Sequence, residues 1–70
     1  MATIYMPLLN EGTDVWRPVD ATPLKGDTYK VQGTMDEDEV WAFAPGAFVR
    51  CEWKVFSGGE AGMVAVAVAD

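Results

Sequence analysis

The sequence predicts an all-β domain, a small barrel or sandwich of five or six short antiparallel strands, on three observations. Apolar residues recur with period two in the longer segments. Turn signals such as Lys25-Gly26-Asp27 and Pro45-Gly46 divide the chain into pieces of strand length. No window holds the three-to-four residue spacing of an amphipathic helix for long enough to compete. At 70 residues the chain has room for one domain, residues 1–70, and a sheet this small removes its exposed edges most economically by closing on itself.

The elements follow in order. "TIYMPLL" is rich in β-formers but carries Pro7, which suits an edge or a bend. Glu11-Gly12 supplies a turn, and "TDVWRPV" resumes an extended course that Thr22-Pro23 ends. Lys25-Gly26-Asp27 closes a hairpin onto "TYKVQ", where Tyr29 and Val31 oppose Lys30 and Gln32. "TMDEDEV" can hold one helical turn capped by Thr34, and "EVWAF" makes a further short strand. In "AFVRCEWKVF" one face carries Ala47, Val49, Cys51, Trp53 and Val55 and the other Arg50, Glu52 and Lys54. That face places Trp53 in the core with Trp41. Phe48 and Phe56 break the polar pattern at the two ends of the segment. In the closing strand "MVAVAVA", Val64, Val66 and Val68 share a face opposite small alanines.

Two segments, "PLLNEGTDVWRPV" and "WAFAPGAFVRCEWKVFSGGEAGMVAV", resemble a group of small, mostly uncharacterised bacterial proteins. In that group an E-G-T-x-V-W-R-P-V segment precedes W-x-F-x-P-G-x-x-V-R-C-E. The resemblance implies an SH3-like barrel and carries no activity that transfers to individual residues.

Composition narrows the chemistry. Eleven acidic side chains against five basic ones give a formal charge of -6, which repels nucleic-acid phosphates and anionic membrane surfaces. No segment reaches the roughly 18 apolar residues of a membrane span, and no signal core follows Met1. A single cysteine, Cys51, forms no internal disulfide, and the expected compartment is the reducing cytoplasm. The absence of histidine removes the commonest general base near neutral pH and the usual activator of a serine or cysteine nucleophile. We expect no catalytic residues, no metal site and no cofactor, with Cys51 a packing residue.

The acidic side chains can serve chemistry or solvation. Glu11, Asp14 and Asp20 border the first turn, where turn formation is the plainer reading than a carboxylate pair at work in hydrolysis or a site shared with another subunit. Asp36, Glu37, Asp38 and Glu39 form the densest charge run, without the spacing or central glycine of an EF-hand loop. The run reads as a solvated loop that can also dock a basic partner. "SGGEAGM" lacks the lysine of a phosphate-binding loop and reads as a flexible hairpin connection.

Trp16 and Arg17 are of the residue types most frequent at interface hot spots. If Val15 and Val19 face the core, Trp16 is at least partly exposed and becomes a partner anchor. If Trp16 faces inward, the commoner place for a tryptophan in a domain this small, Arg17 lies outside, paired with Asp14 or Asp20, and the segment is structural first and a binding surface second. The leading expectation is a non-enzymatic acidic interaction module. It engages a protein partner, basic where the acidic loop takes part, through Glu11, Asp14, Trp16, Arg17, Asp36, Glu37, Asp38, Glu39, Phe48 and Phe56. The alternative is an acidic inhibitor or nucleic-acid mimic, of the kind mobile elements use, that fills a basic nucleic-acid site on a host protein. Direct binding to nucleic acid or membrane is not expected, and self-association through sheet edges stays open.

Overall fold

The alternation of the sequence becomes six strands in a computed structural model, which describes residues 1–9 and 15–69. They are β1 (Ala2–Leu9), β2 (Trp16–Pro23), β3 (Thr28–Val31), β4 (Val40–Trp41), β5 (Phe48–Val55) and β6 (Ala61–Val68). Neighbours in the sheet run β2-β3-β5-β6-β1-β4, and β1 also pairs with β2, so the pairings return to their start. Glu11 and Asp14 lie outside the described residues.

Most of the ladders are antiparallel, as expected, but β1 meets β6 in parallel through Tyr5 opposite Val64. The cause is parity: the pairings β1–β2, β2–β3, β3–β5, β5–β6 and β6–β1 are five in number, and strands that alternate in direction through four of them must run parallel in the fifth. Local chemistry sets the hairpins. At the β2–β3 connection Gly26 takes φ 65°, a left-handed conformation that costs glycine little, and Thr28 N–H donates to the Lys25 carbonyl at 3.2 Å. The expected helical turn at Thr34 is replaced by a β-turn, in which Glu39 N–H donates to the Asp36 carbonyl at 3.1 Å, and no helix forms among the described residues.

Inward-pointing residues alternate with outward ones along β1, β2 and the first half of β5 to build the core, with β3, β4 and β6 adding to it. Ile4, Met6, Ala21, Val31, Val49 and Cys51 are fully buried, with Val19, Val64, Ala65 and β4's Trp41 close behind. No buried side-chain nitrogen or oxygen lacks a partner among the described residues.

Two expectations about facing are corrected. Trp53 is 67% exposed and is not a core residue, and Val55 beside it is 65% exposed. The alternation of β5 persists, but β3 begins at Thr28, opposite Arg50, so among the described residues no neighbouring strand covers the far end of β5 on that side. In β6, Val66 and Val68 are outside while Ala65 is buried. The register steps there from Arg50 opposite Ala67 to Cys51 opposite Ala65, leaving Val66 with no opposite residue and reversing the faces on either side of it.

Burial also decides the chemistry of Cys51. Desolvation, with the charge of Asp27 adding to it, pushes its thiol from the ordinary 9.0 to about 11. The folded state therefore holds more protons than the unfolded chain between these values. Stability is fully present below pH 9.0 and falls as pH rises toward about 11. Urea titrations from pH 7 to 11 check this: Cys51→Ala is expected to flatten the alkaline loss, and an unchanged slope contradicts it.

Candidate functional site

Outward-facing residues of β1, β2 and β5 converge on a single aromatic groove. Tyr5 lies opposite Pro18, and Trp16 opposite Pro7, so the β1–β2 ladder sets their two rings on the same outer face. Phe56, immediately after β5, completes the set. Its ring centroid is 5.0 Å from that of Tyr5 in an edge-to-face contact and 5.0 Å from that of Trp16 in a tilted one. Lys54 Nζ stands 5.4 Å from the centroid of the Trp16 ring. Val55, Ser57 and Glu60 close the rim of a groove of about 500 Å³.

The groove depends on a missing side chain. A Cβ on Gly62 would run into the Tyr5 ring, coming within 2.8 Å of its Cδ2 and nearer still to Cε2. The Tyr5 ring, which packs on Phe56, must shift to make room for it. Gly62→Ala is expected to cost roughly 1–3 kcal/mol by overpacking. Its signature is loss of the Tyr5–Phe56 ring-current shifts in the proton NMR spectrum with the core resonances unmoved, and retention of those shifts contradicts the assignment.

Of the ten residues singled out in the sequence, the structure joins Trp16 and Phe56 in this groove. Val19 is buried and Val15 partly so, which leaves Trp16 half-buried with an outer face, as one of the two sequence alternatives required. Arg17 is nonetheless paired, but not with Asp20. Its Nη1 donates to Glu39 Oε2 at 3.1 Å and its Nη2 lies 3.8 Å from Asp36 Oδ2. Glu39 also accepts from Trp41 Nε1 at 3.1 Å, so one carboxylate ties the acidic run to β2 and to the core tryptophan.

Glu37 and Asp38 remain exposed. Phe48 is half exposed at a distance from the groove, with Lys30 Nζ 5.8 Å from its ring centroid. Glu39→Ala is expected to lower stability by about 1–2 kcal/mol, because Trp41 loses its acceptor and Arg17 its closer partner. A thermal midpoint within error of the parent contradicts that role.

Tyr5 and Lys54 escaped sequence reasoning. Each sits singly in its strand, and only the pairing of β1 with β2 and the end of β5 brings them to Trp16. The charges sort unevenly as well. Arg17, Lys30, Arg50 and Lys54, four of the five basic residues, are engaged inside the molecule, Arg50 with Glu52 at 2.7 Å. Among the described residues no such contact is made by the acids Asp20, Asp27, Glu37, Asp38 and Glu60. The outward field is therefore negative.

Compared with protein-family models, with curated proteins and with solved structures, the chain finds no match.

Proposed function

We propose that this chain is a non-enzymatic, SH3-like barrel that serves as a cytoplasmic interaction module, binding a protein partner with a basic surface through the Tyr5–Trp16–Phe56 groove. The closed sequence of strand pairings supports the barrel reading, together with the two motif segments. The observation that carries the functional reading is the packing of three aromatic rings on the outer face of a sheet whose core is already filled on its inner face. Aromatic rings gain most by burial, and those rings stay half open although the fold takes another aromatic ring, Trp41, into its core.

The partner's charge follows from the pairing pattern. A basic surface is drawn by the unpaired acids, and the aromatic faces accept its arginine or lysine side chains as Trp16 already accepts Lys54. Association is therefore expected to slow as ionic strength rises.

Parallel captures from lysate at physiological salt test the reading, with the parent chain and Trp16→Ala as baits of matched fold by circular dichroism. The expected outcome is at least one protein held by the parent and lost by the variant. Identical sets, or nothing held by either, overturn it.

A further inference from the structure

The far end of β5 is an open sheet edge. Cys51 N–H donates to the Asp27 carbonyl at 2.9 Å and Val31 N–H to the Ala47 carbonyl at 2.9 Å, so the odd-numbered backbone groups of this segment face β3. On the other side, Phe56 N–H donates to the Glu60 carbonyl at 2.7 Å and Ala69 N–H to the Phe48 carbonyl at 2.9 Å, so the even-numbered groups face β6. Continuing the pattern aims the N–H and C=O of Trp53 and Val55 to the β3 side. There the chain has already turned away: Leu24 N–H closes on the Thr28 carbonyl at 2.8 Å, and the β3–β5 register ends at Thr28 opposite Arg50. Among the described residues no strand meets this edge.

The side chains at this edge are its second feature. Trp53 and Val55 are two-thirds exposed on one face, and a chain laid along the edge would cover both. The closed end of the slot is marked by Asp27, whose exposed carboxylate makes no ion pair among the described residues, whereas Glu52 is taken by Arg50 at 2.7 Å. A second copy of the same edge is a poor occupant. Antiparallel self-pairing about Lys54 sets like charges directly opposite, and pairing about Trp53 brings Val55 against Cys51, whose N–H is already taken.

We propose that the 53–55 edge of β5 receives an extended segment of a partner protein as an added strand, with apolar side chains at alternate positions beside Trp53 and Val55 and a basic side chain at the Asp27 end. This rests on the reading of the chain as an interaction module and adds a second contact surface, reached from the groove through Val55, which lines it.

Selection from a random octapeptide display library against the intact chain tests it, followed by titration of the isotope-labelled protein with the enriched peptides. Enriched sequences are expected to alternate apolar residues and to carry lysine or arginine at one end, and to shift the Trp53 and Val55 amides. Peptides N-methylated on the edge-facing amides, and the Trp53→Ala protein, are each expected to bind at least about tenfold more weakly. Peptides that shift Trp16 and Phe56 while leaving the Trp53 and Val55 amides in place overturn the added strand and leave the groove standing. Enriched peptides without alternation also overturn it, and a library that yields no binder counts against both.

Discussion

Ile4→Ala is expected to leave a substantial fraction of the protein unfolded at 25 °C. Ile4 is fully buried in β1, the strand that pairs with β2, β4 and β6, and it lies opposite Val19 in the β1–β2 register. Truncating a buried isoleucine to alanine costs about 2–5 kcal/mol, through lost transfer free energy and the cavity left behind. A domain below 70–80 residues draws only about 3–5 kcal/mol from its core, so this one change consumes most of the margin. Ile4→Val, which removes one methylene, is expected to cost about 0.5–1.5 kcal/mol and to keep the fold. Urea unfolding followed by tryptophan fluorescence distinguishes the two, and an Ile4→Ala midpoint equal to the parent's contradicts the placement of the core.

Trp16→Ala is expected to weaken partner binding by about 2 kcal/mol or more, roughly thirtyfold in Kd. The loss exceeds that of any acidic-loop substitution because Trp16 brings a large apolar face and holds Phe56 and Lys54 in place. Truncating it removes both the contact and the wall. Asp38→Asn, which alters an exposed charge, is expected to change the rate of association and its salt dependence more than the rate of dissociation. Surface plasmon resonance with the captured partner separates these effects. A Trp16→Ala dissociation rate equal to the parent's contradicts the groove as the contact surface.

The strands were legible in the sequence because side-chain alternation is a local property. Val49 and Cys51 face inward as the spacing requires, and the Lys25-Gly26-Asp27 turn closes the predicted hairpin. What lay beyond the sequence was where each face stops being covered. Trp53 has the phase of a core residue, and its exposure is decided by a different strand that starts too late to reach it. The inversion at Val66 depends on one step of register, which alternating valine and alanine do nothing to announce.

The site divides in the same way. Trp16 and Phe56 stand out by residue type and by breaks in local polarity, so the sequence singles them out. Tyr5 and Lys54 join them only through strand pairing, and Gly62 matters because the Tyr5 ring occupies the space its side chain would need. Arg17 reaches Asp36 and Glu39, far along the chain, in preference to Asp20 in its own strand, since Asp20 alternates away while the loop before β4 folds back. Contacts of that range carry no local pattern to read.

Amide hydrogen exchange of the chain, alone and with the protein that the parent bait retains, tests the groove most directly. Slowed exchange is expected at Tyr5 and Met6, at Trp16 and at Lys54 to Ser57, with the acidic run at Asp36 to Glu39 little changed. Protection confined to Asp36 to Glu39, or none anywhere, contradicts it.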